Sequence, residues 1–249
     1  MPNRSLLGVR VDELDRESLE KTILDSRING QSKVFAYVNV HAVNIACNDA
    51  RFREIINRAS VTYCDGEGVR LGGKILGWQL PERTVLTYWI WNLLPLLQAH
   101  GMSVYFLGGR EEVVRRAVEV VRGKFPGLKI AGWHHGYFAK EGEESAAVVR
   151  EINAASPDVL FVGFGMPVQE YWIDRYQPDL RVAVVLPSGS MIDYVAGMKR
   201  IAPAWMANNG LEWLHRLGRE PRRLWRRYLI GNPLFFFRVL GQRLRGKSR

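Results

Sequence analysis

Ser103-Val104-Tyr105-Phe106-Leu107-Gly108-Gly109-Arg110 decides how this chain folds. β-Branched and aromatic residues form a run of strand length, a glycine pair turns the backbone, and apolar positions then recur at helical spacing over 111–124. Towards the C-terminus the same unit repeats, with strands expected over 129–132, 158–162 and 181–186 and helices over 141–155 and 169–176. Towards the N-terminus it predicts a strand over 34–40, a helix over 41–59, a strand over 61–64 and a helix and turn over 66–77. An unusually apolar helix follows over 87–100, which Pro95 is expected to kink or break. A short strand at Leu6–Val9 and a helix running to Arg27 open the chain. Strands alternating with helices predict an α/β fold, a Rossmann-like parallel sheet flanked by helices with right-handed crossovers. Past Ile192 the strand pattern stops, so 1–195 is expected to form the α/β domain and 196–249 a basic amphipathic helical C-terminal appendage.

The 249 residues, 47% of them apolar, suffice for one large core or two small ones. Cys47 and Cys64 fall in segments expected to be buried and show no metal-ligand spacing, which predicts reduced thiols in a cytosolic compartment. Met1 to Arg10 has no apolar run of signal-peptide length, and no stretch reaches membrane-spanning length. The formal net charge of +10 is unevenly placed: from Glu212 onward eleven Lys/Arg stand against two acids, so that segment carries +9 and the rest +1. A near-neutral body thus bears a tail suited to an anionic partner.

Val61 to Val69 reads Val-Thr-Tyr-Cys-Asp-Gly-Glu-Gly-Val. Asp65 stands where the strand ends, and Gly66 and Gly68 let the backbone turn into a helix. A carboxylate is thereby offered at the C-terminal edge of a parallel sheet, where ligands bind in such folds, and Arg83 supplies a permanent cation some way on. A base and an anion clamp are what group transfer from a nucleotide needs; an Asp-Gly turn with no chemistry is the competing reading. The turns at Gly108, Gly163 and Gly189 are expected on the same edge. Gly108 and Gly109 could set backbone N–H groups against a phosphate, although no dinucleotide fingerprint is present and a plain turn fits equally. In Gly163-Phe-Gly165-Met-Pro167-Val-Gln169-Glu170 the glycines permit close approach, and Gln169 both donates and accepts, as recognition of a nucleobase, sugar or phosphate ester requires. A simple helix start is the alternative there. There is no Asp-x-Asp, and the one close histidine pair, His134-His135, is expected to face apart on a strand; no metal site is expected.

In the tail, Arg216, Arg223, Arg226 and Arg227 recur near helical spacing among Leu214, Leu217, Leu224, Trp225 and Tyr228, and Leu234-Phe-Phe-Phe-Arg238 follows. Cations mixed with aromatic and aliphatic bulk suit an interfacial membrane helix. Nucleic acid would accept the charge, but three consecutive phenylalanines exceed what stacking requires and no nucleic-acid motif occurs, so no nucleic-acid partner is expected.

Taken in order, Asp65-Gly66-x-Gly68, Pro81-Glu82-Arg83, Leu107-Gly108-Gly109, Gly163-x-Gly165-x-Pro167-x-Gln169-Glu170-x-Trp172, Ala202-Pro203-x-Trp205, Gly210-Leu211-Glu212-Trp213 and Glu220-Pro221-x-Arg223-x-x-Arg226 resemble the WecG/TagA/CpsF glycosyltransferases, glycosyltransferase family 26, from about Val34 to Pro233. The resemblance implies an inverting, metal-independent transfer of a hexose-type sugar from a UDP-sugar to a polyprenyl-diphosphate-linked saccharide, at the inner face of the cell membrane, with no cofactor. By motif, Asp65 would be the general base and Arg83 would neutralise the departing diphosphate. Asn39 and Gln169 match pocket positions of the family and, with Gly108, Gly109, Gly165 and Gly189 of the turns read above, are expected to contact substrate; Arg216, Arg223 and Arg226 of the appendage would close over the nucleotide phosphates while docking on the anionic membrane. Members of the family associate, so a homo-oligomer is allowed. Tyr37 replaces a common threonine, Thr84-Val85-Leu86-Thr87 departs from the usual run after the Pro-Glu-Arg motif, and Leu186 to Met191 is less glycine-rich than usual. The donor sugar therefore does not carry over. The alternative class is a non-catalytic peripheral membrane or nucleic-acid binding protein on a Rossmann-like scaffold.

Overall fold

The computed structural model describes residues 3–27 and 32–247, leaving Arg249 of the basic tail outside the described residues. Eight strands are ordered among them: β1 (Asn3–Leu6), β2 (Val9–Asp12), β3 (Lys33–Val38), β4 (Val61–Cys64), β5 (Val104–Gly108), β6 (Ile130–His134), β7 (Val159–Gly163) and β8 (Val184–Pro187). β3 to β8 form one parallel sheet in the order β4-β3-β8-β7-β5-β6. The expected Rossmann-like α/β fold is what is observed. From β5 the chain runs outward to β6, whereas from its neighbour β7 it returns inward to β8, so the connections diverge between them. In parallel sheets such a divergence opens a crevice at the strands' C-terminal ends.

Because side chains alternate across a strand, β3 sends Val34, Ala36 and Val38 into one core and Phe35 into the other. The first face is covered by α2 (Val40–Asn48), α3 (Ala50–Arg58), α4 (Glu67–Ile75), α7 (Glu143–Ala155) and α8 (Val168–Tyr176). The second is covered by α1 (Arg16–Ser26), α5 (Leu86–Ala99), α6 (Glu111–Lys124) and α9 (Met191–Val195). Phe106 and Phe161 stack across β5 and β7 at 5.3 Å.

Three local expectations are corrected. Leu6 to Val9 is not one strand: Leu7 and Gly8 both take positive φ and turn an antiparallel hairpin of β1 and β2. The helix expected over 41–59 is two, because Asp49 leaves helical geometry and its carboxylate caps α3 by accepting from the Phe52 amide at 3.0 Å. Pro95 does not break α5, whose Trp89, Ile90, Leu93, Leu94 and Leu97 are buried; packing of that face outweighs one missing amide donor.

After α9 come α10 (Ala204–Asn208), α11 (Glu212–Arg219), α12 (Pro221–Trp225), a π-helical turn (Arg226–Ile230) and α13 (Gly231–Lys247). This appendage is not a detached tail. Phe235 and Val239 of α13 are fully buried in the first core. Arg238 donates to the Asn44 and Asn48 side-chain oxygens at 3.0 and 3.1 Å, and Asn44 donates to the Gly231 carbonyl at 2.7 Å. Gln242 bridges Leu7 and Ser5 of the hairpin, and Arg243 donates to the Ile75 carbonyl. Arg238 and Arg243 of the tail are therefore engaged within the molecule, and Arg216 and Arg223 pair with Glu212 and Glu220 at 2.8 and 2.6 Å.

Candidate functional site

All four residues of β4 are buried, and the Asp65 amide extends its ladder by donating to the Val38 carbonyl at 3.0 Å. That fixes the Asp65 carboxylate at the sheet's C-terminal edge. The start of α4 presses against the start of α2: a Cβ on Gly68 would lie 2.4 Å from Val40 Cγ2, and one on Gly66 would lie 3.2 Å from Asn39 Cβ. Asn39 caps α2, its Oδ1 accepting from the His41 and Ala42 amides at 3.0 and 3.1 Å. With the oxygen thus committed, the amide must point its Nδ2 elsewhere, and it donates to Asp65 Oδ2 at 3.1 Å. Burial pushes the Asp65 carboxyl up to about 6; the Asn39 hydrogen bond, Arg216 and Arg83 oppose this, and Glu212 adds to it.

Two cavities meet at Asp65. The larger, 820 Å³, runs along the sheet edge and is lined by Tyr37, Gly109, Gly163, Gly165 and Gly189 and, from the appendage, by Arg216, Arg223 and Arg227. The smaller, 220 Å³, is lined by Gly66, Glu67, Leu71, Arg83, Glu212 and Trp213 among others. Asn39, His41, Asp65, Arg216 and Arg227 border both. Burial and the nearby Arg227 push the His41 imidazole down to about 4, so it is neutral near pH 7. The Nε atoms of Arg216 and Arg227 are buried with no hydrogen-bond partner.

Of the residues singled out from sequence, Asn39, Asp65, Gly109, Gly165, Gly189, Arg216 and Arg223 line the larger cleft. Gly109, Gly165 and Gly189 take φ of +68°, +83° and +54°, the left-handed region that lets these loops turn at the rim. Gly108 sits behind them, where a Cβ would lie 2.5 Å from the Gly163 carbonyl oxygen; it permits close approach of β5 and β7 and does not face the cleft. Arg83 lies in the smaller cavity, donating to Glu212 Oε2 at 3.2 Å and the Ala207 carbonyl at 2.7 Å, with Glu67 at 3.9 Å. Arg226 is exposed and stacks over Trp225 outside both cavities. Arg227 faces inward in its place, four residues on from Arg223 and so on the same helix face, at the start of the π turn. His134 and His135 do not face apart: their rings lie 4.5 Å from each other, beside Phe138. Among the described residues no group of three or more His, Cys, Asp or Glu is placed to hold a metal ion.

Gln169 is the clearest revision. It is fully buried and touches neither cavity. Its Oε1 accepts from the Gly165 and Gly189 amides at 3.1 and 3.0 Å, while its Nε2 donates to the Tyr37 hydroxyl at 3.1 Å and Glu170 at 2.8 Å. All four hydrogen-bonding positions of the amide are used, and two rim loops are braced by one side chain. Gln169→Leu, which keeps the bulk and removes the brace, is expected to destabilise the protein by about 2–4 kcal/mol, read from the denaturant midpoint. An unchanged midpoint would show that the loops hold themselves.

A model of the Glycosyl transferase WecG/TagA/CpsF family matches residues 4–249. An N-acetylglucosaminyldiphosphoundecaprenol N-acetyl-beta-D-mannosaminyltransferase of Bacillus spizizenii is 32% identical over 184 residues, which cover 74% of this chain and 70% of the relative. A protein of the same name from Bacillus subtilis is 27% identical over 92% of this chain and 86% of its own length. One from Staphylococcus aureus is 30% identical over 81% and 77%.

Proposed function

Because this chain belongs to the WecG/TagA/CpsF glycosyltransferase family, we propose that it transfers a hexose-type sugar from a UDP-sugar to a polyprenyl-diphosphate-linked saccharide, with inversion and without a metal ion. The observation that carries the reading is the position of Asp65: a hydrogen-bonded carboxylate on the wall between two cavities, with arginines on the larger side. The acceptor hydroxyl oxygen bonds to the anomeric carbon as the bond from that carbon to the diphosphate oxygen breaks. The hydroxyl proton passes to the Asp65 carboxylate, and UDP leaves with the bonding pair. Arg216, Arg223 and Arg227 meet the charge that develops on it.

The names of the relatives favour N-acetylmannosamine as donor sugar and N-acetylglucosaminyl-diphosphate polyprenol as acceptor. Tyr37 and Ser188 to Ser190, where this chain departs from the family pattern, line the larger cleft, so the donor is left at the level of a hexose-type sugar. No described helix is long and apolar enough to cross a membrane. Leu229, Ile230, Phe237 and Leu240 are 55%, 52%, 76% and 49% exposed on the appendage beside its arginines, a surface suited to peripheral docking on anionic lipid at the inner membrane face.

The test is transfer from UDP-glucose, UDP-N-acetylglucosamine, UDP-N-acetylmannosamine and UDP-glucuronic acid to lipid-linked saccharides in the presence of EDTA. Lipid-linked product from one of them is expected. The base must be ionised, and its carboxyl is held near 6, so kcat/KM should fall as pH drops through about 6 and level off above it. Asn39→Ser removes a hydrogen bond that favours the ionised form and should move this acid limb to higher pH. An acid limb at the same pH in both proteins would remove Asp65 from the role of base.

A further inference from the structure

The smaller cavity is not needed to hold a nucleotide. At 220 Å³ it is smaller than the roughly 300–1,000 Å³ of pockets that enclose a whole drug-sized ligand, whereas the 820 Å³ cleft lies within that range. The two also differ in charge. Among the described residues the larger cleft is lined by six cations (Arg110, Lys140, Lys199, Arg216, Arg223, Arg227) against four acids (Asp65, Glu112, Asp193, Glu220), an excess of positive charge suited to a diphosphate. The smaller cavity is balanced, with Arg83, Arg216 and Arg227 against Asp65, Glu67 and Glu212.

We infer that the smaller cavity receives the terminal sugar ring of the acceptor, presenting its hydroxyl to Asp65 from the side opposite the donor; this rests on the transferase reading above. Interleaved carboxylates and guanidinium groups pair with the donor and acceptor halves of neutral hydroxyls. Trp213 and Phe236 supply an apolar wall against which the C–H face of a pyranose packs, and Leu71, 43% exposed, leads out to the surface. Arg83, held by Glu212 and Ala207, then acts on the acceptor side, and the leaving diphosphate is met by the appendage arginines of the other cavity. Asp65 borders both spaces, as a base must if it takes a proton from one substrate while that substrate attacks the other.

Glu67→Gln and Leu71→Trp alter side chains that line only the smaller cavity, and Arg223→Ala alters one that lines only the larger. Calorimetry with a UDP-sugar and, separately, with a short-chain prenyl-diphosphate N-acetylglucosamine reads the two dissociation constants without turnover. The first two variants should weaken acceptor binding about tenfold or more and leave the donor constant within about twofold, with the reverse for Arg223→Ala. Weakened donor binding in Glu67→Gln and Leu71→Trp, or an unmoved acceptor constant in both, would overturn the division. If the variants show this split while the wild-type protein transfers no sugar, the transferase reading fails and the division of binding between the cavities stands.

Discussion

Asp65→Asn is expected to lower sugar transfer by about 10²–10⁴-fold, the usual worth of a positioned general base, while UDP-sugar affinity stays within about twofold. The substitution keeps the shape and the hydrogen bond reach of the side chain but offers no site for the acceptor's proton. The hydroxyl would then have to attack while still protonated, and the loss should fall on kcat and kcat/KM together, because the interaction removed is made only in the transition state. Neutralising Asp65 also takes a carboxylate away from Arg216 and from the leaving-group side of the wall, so donor binding should not weaken. Single-turnover rates with saturating donor give the measurement. If Asp65→Asn retained more than a tenth of wild-type turnover, the proton would have to leave by another route, and His41, held neutral and bordering the same two cavities, would be the next group to replace.

Phe235→Ala is expected to cost about 3–5 kcal/mol, the range for emptying a buried aromatic site. The ring is fully buried against α4, where Gly72 makes room for it: a Cβ there would lie 2.8 Å from Phe235 Cζ. Phe236 meets the same ring edge-on at 5.2 Å. Since α13 continues from the turn that carries Arg227, loosening Phe235 should free the inward-facing cation as well as the helix. Transfer should then fall more steeply than the folded fraction alone explains. Equilibrium unfolding together with donor affinity separates the two effects. A loss below about 1 kcal/mol would mean that α13 rests on the core without being part of it, and that the appendage could be removed with its cations replaced by other means.

The strand and helix alternation from Ser103 to Leu186 is legible because the inner strands β5, β7 and β8, buried on both faces, are continuous apolar runs, each followed by a glycine turn. Asp65 is legible for the same reason, as the first polar residue after a buried strand. The bracing role of Gln169 is not legible, because an amide able to donate and accept looks the same in sequence whether its partners are a ligand or the chain itself. Only the approach of the Gly165 and Gly189 amides and the Tyr37 hydroxyl shows that they are the chain. The tail was legible as cationic and apolar, but not as docked, since the fit of Phe235 over Gly72 joins residues far apart in the chain.

By itself, then, the sequence determined the α/β class, the carboxylate at the sheet edge and the basic helical appendage, all of which are written in local periodicity, turn residues and charge. Tertiary structure alone decided that Arg227 and not Arg226 faces the cleft, that Arg83 lies beside the smaller cavity, and that Asp65 stands between two spaces of different size and charge. Those outcomes depend on helix phase and on packing between distant segments, which no window of sequence contains.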